Sequence, residues 1–263
     1  MMPPLPKPIL GESNAITITS PDLDQSLAFY QRLGFKEIMR ENFPFPWIQV
    51  TDEALLIMVR KDKDPYIALT YYSTDAASVN ATLEAKGIVF TYKPTPADPL
   101  QRYILKSPDD LTISIVTVPY GFRLPSGKTM LTMKPDEYGR PETYTNQTAG
   151  MYGEFAHPVK DLETSIAFWE KLGFIALSKM ASPHPWAILT DGLSILGLHQ
   201  TTQFSYPAIT YFAADMKSRI EALKQNGLKN FVEKGPGNIC ITTPEQQHIN
   251  LYSMGGDPCS YWD

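Results

Sequence analysis

A long internal repeat constrains this chain more than any other feature. The fifteen residues from Pro21 to Phe35 return 139 positions later as Lys160 to Phe174, with eight of the fifteen identical. A period this long is that of a duplicated domain of about 110 residues rather than of a solenoid repeat. Three further matches keep this offset or slip by one residue: Pro44-Phe-Pro-Trp47 with Pro183-His-Pro-Trp186, Thr51-Asp52 with Thr190-Asp191, and Tyr66 to Tyr71 with Tyr206 to Tyr211.

Composition places the chain among ordinary globular proteins. With 263 residues, 43% of them hydrophobic, each copy has enough material for its own core without disulfide or metal support. The net charge of −5 and the absence of a Lys/Arg cluster argue against a nucleic-acid partner. No apolar run approaches the roughly 18 residues of a membrane-spanning helix, so we expect no membrane contact.

The two cysteines, Cys240 and Cys259, form neither a disulfide framework nor a closely spaced metal motif. This usage predicts a reduced, cytoplasmic protein. Cys240 lies in a predicted strand with no histidine or cation beside it in sequence, so we expect a small core residue there.

Each copy reads as two consecutive βαβββ units. A short strand leads to Asp22 or Asp161, which is suited to cap a helix, and Gly34 or Gly173 provides the left-handed stop. Three strand-like stretches follow, and then a second strand, a second helix and three more strands. The predicted organisation is an N-terminal arm (1–12), a first domain (13–118), a linker without visible core (119–150), a second domain (151–256) and a tail (257–263).

The paired units and the phrase Asp-Leu-Asp-x-Ser-Leu-Ala-Phe-Tyr-x-x-Leu-Gly-Phe resemble the vicinal oxygen chelate superfamily. This superfamily includes glyoxalase I, extradiol ring-cleaving dioxygenases and bleomycin-resistance proteins. Ser107 to Ile115 and Thr243 to Leu251 look like its closing strand, Asp-Pro-Asp-Gly-Asn-x-x-Glu-Leu. The resemblance implies an α+β chain of two tandem glyoxalase-like domains, each a pair of βαβββ units forming an incomplete curled barrel.

The resemblance also indicates where a metal would be held, at four inward-facing places in each copy. In the first copy these places are Ala15, Met58, Tyr66 and Ser114, and in the second they are Glu154, Gly197, Tyr206 and Asn250. Zinc, nickel and ferrous sites favour imidazole or several carboxylates, and neither set provides them. We therefore expect no cofactor, and the alternative is an atypical divalent-metal site made from Glu154, His199 and His248.

The second copy keeps more polar side chains than the first. Strand alternation and the expected fold direct several of them to one surface, where a desolvated Glu154 would bind a ligand or act as a base. Trp186 would form a wall of the cavity, and His184 marks a divergence from Phe45 of the first copy. The predicted ligand-binding residues are Trp186, His199, Tyr206, Thr210, His248, Asn250 and His184, with Glu154 as the candidate catalytic residue.

Alternative structural interpretations remain for these residues. His199 and His248 would then cap strand ends at the solvent, Glu154 would be partly exposed, and the repeated tryptophans would be core residues. His157 should face away from Glu154 and serve the structure. Pro158 and Pro207 indicate edge strands or local distortion, because proline donates no ladder hydrogen bond.

Three functional hypotheses follow. The first is a metal-independent protein that binds a small organic molecule in the second domain. The second is an enzyme, either a lyase, an isomerase or a ring-cleaving dioxygenase, that uses an atypical metal or Glu154 as a base. The third is an interaction module. The expected assembly is a monomer or a homodimer.

Overall fold

The computed structural model describes residues 4–119 and 124–254. Four helices span α1 (Leu23–Arg32), α2 (Ala76–Ala85), α3 (Leu162–Lys171) and α4 (Met216–Gln225). The strands of the first copy are β1 (Ser13–Ser20), β2 (Lys36–Glu41), β3 (Trp47–Thr51), β4 (Leu56–Lys61), β5 (Ile67–Ser73), β6 (Phe90–Tyr92), β7 (Arg102–Lys106) and β8 (Thr112–Thr117). Those of the second copy are β9 (Met151–Pro158), β10 (Ile175–Met180), β11 (Trp186–Thr190), β12 (Ile195–His199), β13 (Ala208–Ala213), β14 (Phe231–Glu233), β15 (Ile239–Thr242) and β16 (His248–Ser253).

Each copy forms one eight-stranded mixed sheet. The strand order is β2-β3-β4-β1-β5-β8-β7-β6 in the first sheet and β10-β11-β12-β9-β13-β16-β15-β14 in the second. In each sheet the first and second βαβββ units meet at the centre, where the second unit's first and last strands pair in parallel, β5 with β8 and β13 with β16. The α+β class and the two-sheet architecture predicted from the repeat are confirmed.

The helices begin at the aspartates that the sequence indicates. The Asp22 carboxylate accepts hydrogen bonds from the backbone N–H groups of Asp24 and Gln25, and that of Asp161 accepts one from Thr164. These bonds satisfy donors that the first helical turn leaves unpaired. Asp215 occupies the same position before α4, but its side chain makes no capping bond and instead pairs with Arg219.

The chain divides into two compact structural units, called unit 1 and unit 2, which differ from the βαβββ units because each combines parts of both copies. Among the described residues, unit 1 comprises 4–17, 66–119, 124 and 157–201, and unit 2 comprises 18–65, 125–156 and 202–254. The sheets thus follow the copies, whereas the units join the first half of one copy to the second half of the other. The domain boundaries drawn from the sequence stay a prediction, and the predicted tail (257–263) lies outside the described residues.

A buried tyrosine–aspartate pair recurs in the two units. In unit 2, the Tyr211 hydroxyl donates to Asp52 Oδ2 at 2.6 Å, and in unit 1 the Tyr71 hydroxyl donates to Asp191 Oδ2 at 2.6 Å. Both aspartates belong to the repeated Thr-Asp pairs, and both tyrosines to the repeated Tyr-containing strands. Each hydrogen bond therefore joins an aspartate of one copy to a tyrosine of the other.

The segment between the copies contributes to the core of unit 2, so the prediction of a linker without core is wrong. Its side chains Met133, Tyr144, Asn146 and Ala149 are buried. Asn146 Nδ2 donates to the Leu33 carbonyl and to Asp52 Oδ2, both at 2.9 Å. The sequence hides this role because the segment follows neither a helical nor a strand period.

The two prolines of the second copy do not mark edge strands. β9 and β13 lie in the interior of the second sheet. Pro158 is the last residue of β9, and Pro207 precedes β13, so neither removes a hydrogen bond from the middle of a ladder. The irregularity in their pairing lies elsewhere, between Thr210 and Tyr211. None of the helices in the described ranges is long and apolar enough to cross a membrane.

Candidate functional site

In unit 2, the strands of the second sheet carry an apolar face and a polar face. Successive side chains of a strand alternate between the two faces of its sheet. The apolar face carries a fully aligned row across β9, β13, β16 and β15: Phe155, Ile209, Ile249 and Ile241. All four are buried. This face therefore packs in the core, and the other face, also buried, carries several polar side chains.

The polar face carries a second aligned row, which we call the polar row: Glu154, Thr210, Asn250 and Cys240. Thr210 is level with Glu154 on β9 and with Asn250 on β16, and Asn250 is level with Cys240 on β15. Each of the four is at most 5% exposed. Asn250 Nδ2 lies 3.4 Å from Thr210 Oγ1, to which it donates. A carboxylate, a hydroxyl, an amide and a thiol thus lie at one level of four neighbouring strands.

Aromatic rings border the polar row. The Tyr206 ring stacks on His248, with 22° between the ring planes. On the other side, Phe212 and Tyr252 contact each other with ring centroids 6.3 Å apart. Burial raises the pKa of Tyr206 to about 12, with a further contribution from Cys240, and burial lowers the pKa of His248. Near neutral pH the border is therefore uncharged: a phenol and an imidazole.

Two small residues lie beside the polar row. Ala156 and Ala208 are level with each other and with His248, one step along the same face from Glu154 and Thr210. Their methyl side chains extend only a short way from the sheet. Flat polar molecules bind best where a few polar groups converge between apolar or aromatic walls.

The first sheet has no such chemistry at the equivalent level. Its row in unit 1 comprises Thr70, Ser114 and Ile104. The residue that corresponds to Glu154 is Ala15, and Thr70 accepts a hydrogen bond from Thr17 at 2.8 Å. This row lacks a carboxylate, an amide and a thiol. The location of a functional site in the second copy stays a prediction.

The remaining predicted residues form a cluster of their own within unit 1. His184 Nε2 lies 3.1 Å from His199 Nδ1, and the Trp186 ring stacks on His199 with 19° between the planes. His199 is buried, so it is not a solvent-facing strand cap, and Trp186 is half-buried, so it is not a core residue. The Trp186 indole N–H donates to the Ser182 carbonyl and thereby anchors the preceding Pro-x-Pro loop.

His157, also in unit 1, is an unusual core residue. It is 3% exposed, and neither ring nitrogen has a hydrogen-bond partner among the described residues. Burial lowers the pKa of His157 to about 4, and the nearby Asp109 carboxylate opposes this shift only in part. His157 thus packs in the core as a neutral imidazole, in keeping with the structural role predicted for it.

The donor set of the polar row does not fit the divalent metal that the fold implies. Glu154 offers one carboxylate, Thr210 a neutral hydroxyl and Asn250 a neutral amide, whereas transition-metal sites favour imidazole or several carboxylates. Within residues 4–119 and 124–254, no group of three or more His, Cys, Asp or Glu side chains is arranged to hold a metal ion. The atypical site of Glu154, His199 and His248 stays a prediction.

Cys240 is a small buried residue, as the sequence predicts, but a histidine also lies beside it. The sequence neighbours of Cys240 do not show this histidine, because it comes from the next strand. The signal was present, because a tight turn after Thr242 places Cys240 opposite Asn250 and one step from His248. Counting residues outward from the turn of the β15–β16 hairpin predicts that Cys240 and His248 lie close together.

Comparison with known proteins shows the fold. No family model matches the chain, and no curated protein sequence matches it. The 2,3-dioxygenase LapB from Pseudomonas sp. KL28 superposes with a TM-score of 0.59 at 14% identity, over 98% of this chain and 95% of that chain. Homoprotocatechuate 2,3-dioxygenase from B. fuscum gives 0.58 at 16% identity, over 99% and 76%. The homoprotocatechuate 2,3-dioxygenase from Arthrobacter globiformis gives 0.57 at 15% identity, over 98% and 85%.

These solved structures are extradiol dioxygenases, and the chain shares their fold across nearly its whole length. The fold inferred from the repeated motif is thereby confirmed. Identities of 14–16% carry no residue roles from those enzymes to this chain.

Proposed function

We propose that the protein binds a small, flat organic molecule on the polar row of the second sheet, without a metal ion. The observation that supports this function is the alignment of Glu154, Thr210 and Asn250, all buried, on three adjacent strands. Removing a carboxylate and an amide from water costs free energy that an apolar row would avoid. Buried polar groups that converge on one level are typical of small-molecule sites, where a few placed polar groups fix the orientation of the ligand.

The chemistry of the row defines the class of ligand. The Glu154 carboxylate accepts hydrogen bonds from hydroxyl or N–H groups, and the Asn250 amide both donates and accepts. The bordering rings favour a planar molecule that packs against them. A small aromatic compound with adjacent hydroxyl groups fits all three features. The chain's fold is that of proteins described as catechol dioxygenases, which makes a catechol the natural first probe.

We expect Glu154→Gln to weaken binding of 4-nitrocatechol at least tenfold. This change keeps the shape of the side chain and removes its negative charge, and a hydrogen bond to a charged group contributes about 1.5–3 kcal/mol. A tenfold change in Kd corresponds to about 1.4 kcal/mol. The measurement is isothermal titration calorimetry with the purified full-length chain.

The matched control is Glu163→Gln on α3, whose carboxylate is 66% exposed and pairs with Lys179 at the surface. It removes the same charge from a residue outside the polar row. The Kd of Glu163→Gln for 4-nitrocatechol should therefore equal that of the wild type. Equal affinities of Glu154→Gln and the wild type would contradict the proposed function, as would equal weakening in both variants.

A further inference from the structure

The thiol of Cys240 has a histidine beside it. Cys240 Sγ lies 3.7 Å from His248 Nδ1 and 4.0 Å from the Tyr206 hydroxyl. The imidazole is held by its stacking on the Tyr206 ring. Both contacts lie within unit 2, on the face of the sheet that carries the polar row. The three side chains come from β15, β16 and the segment before β13, so the fold and not the local sequence assembles them.

The protonation states of the pair suit base-assisted attack. Burial raises the pKa of the Cys240 thiol and lowers the pKa of His248. Near neutral pH the pair is therefore a neutral thiol beside a neutral imidazole. An adjacent base activates such a nucleophile by taking its proton as the new bond forms.

The location of the thiol connects it to the ligand site. Cys240 is level with Asn250, so its sulfur lies at the end of the row that begins with Glu154. The thiol itself is 5% exposed, and Tyr206 and His248 next to it are half-buried. In the first sheet the equivalent residues are Ile104 and Thr112, which have neither a nucleophile nor a base.

We propose that Cys240 forms a covalent bond with an electrophilic ligand of this site, a flat α,β-unsaturated carbonyl compound that also carries a hydroxyl or N–H group for Glu154. This inference rests on the proposed function, because it names the reactivity of the molecule that the polar row binds. The sulfur adds to the carbon β to the carbonyl, and the thiol proton passes to His248 Nδ1. The electrons of the C=C bond move toward the carbonyl oxygen, and His248 returns the proton to the resulting enolate. The addition is balanced without an external oxidant or reductant.

The test uses N-ethylmaleimide, a small α,β-unsaturated carbonyl compound, and peptide mass spectrometry of the full-length chain. Cys259, the other cysteine of the sequence, serves as an internal reference in every sample. We expect native wild-type protein to be labelled at Cys240, and His248→Phe to be labelled there at least about tenfold more slowly, since a positioned base contributes roughly 10²–10⁴-fold. Phenylalanine keeps a flat ring against Tyr206 and removes only the nitrogens.

Two results would overturn this proposal: equal labelling rates at Cys240 in the wild type and His248→Phe, or labelling of Cys240 only after unfolding in urea. Circular dichroism verifies that the variant is folded, and His248→Gln replaces it if it is not. Binding of 4-nitrocatechol to Cys240→Ser separates the two proposals. If Cys240→Ser still binds 4-nitrocatechol while Cys240 of the native wild type is not labelled, the covalent step is ruled out and the ligand site is retained. Fast His248-dependent labelling without any 4-nitrocatechol binding supports the thiol–imidazole pair and counts against the proposed function.

Discussion

Replacing Asp52 with alanine should lower the free energy of unfolding by about 3–5 kcal/mol, because several buried donors lose their acceptor and each one left unsatisfied costs about 1–3 kcal/mol. Asp52 is 5% exposed and accepts four hydrogen bonds. Its Oδ2 receives them from the Tyr211 hydroxyl and Asn146 Nδ2, and its Oδ1 from the backbone N–H groups of Ala54 and Leu55. Alanine leaves all four donors without this acceptor in the core of unit 2.

Urea denaturation of the wild type and Asp52→Ala measures this effect. Asp24→Ala is the matched control, because the Asp24 side chain is 83% exposed and pairs with the surface residue Arg40. The free energy of unfolding of Asp24→Ala should stay within about 0.5 kcal/mol of the wild-type value. A loss below about 1 kcal/mol in Asp52→Ala would show that this network does not hold the two halves of unit 2 together. A double-mutant cycle, with Tyr211→Phe introduced into the wild type and into Asp52→Ala, then measures the energy of the hydrogen bond between Tyr211 and Asp52.

The second large effect is a loss of stability on acidification caused by His157. The folded-state pKa of about 4 is below the ordinary 6.5. Between these values the unfolded chain binds a proton that the folded chain excludes, so stability falls as the pH falls through this window and is fully retained above 6.5. A shift of this size corresponds to about 3 kcal/mol in total, of which about 2 kcal/mol is lost between pH 7 and pH 5.

The matched variant is His157→Ile, since the equivalent residue of the first copy is the buried Ile18. Urea denaturation at pH 7 and pH 5 should show that the wild type loses about 2 kcal/mol more than the variant over this interval. Taking the difference between the two proteins cancels the carboxylates, which titrate in both. Equal losses in the two proteins would mean that His157 is protonated as readily in the folded state as in the unfolded chain.

The repeat predicted much of the fold because each of its signals is local. The capping aspartates Asp22 and Asp161 fix where helices begin, and Gly34 and Gly173, both with φ near +90°, fix where they end. Strand alternation then assigned the face of Asn250 and His248. These features depend on residues a few positions apart, which a single sequence displays directly.

The pairing between copies could not be predicted for a reason that the duplication itself creates. Asp52 has two equivalent tyrosines available, Tyr71 in its own copy and Tyr211 in the other, and the motif around both is the same. Local chemistry does not distinguish them. The structure selects Tyr211, and the reciprocal bond from Tyr71 to Asp191 follows the same rule. Only the three-dimensional path of the chain decides between such duplicated partners.

The candidate site was predicted in part for a similar reason. Glu154, Thr210 and Asn250 were recognised because the resemblance or the alternation pointed to each of them. Their alignment in one row depends on the register between β9, β13 and β16, which includes an irregularity after Thr210. Cys240 joined the row only through the β15–β16 register, since its chemical partner is eight residues away along the chain.

The most direct test is to titrate 4-nitrocatechol into protein that has been treated with a strong chelator and verified by elemental analysis to be free of transition metals. We expect saturable binding with the same Kd as untreated protein, because Glu154, Thr210 and Asn250 supply the hydrogen bonds themselves. Binding that disappears on chelation and returns on addition of ferrous ion would contradict a metal-free ligand site on the polar row.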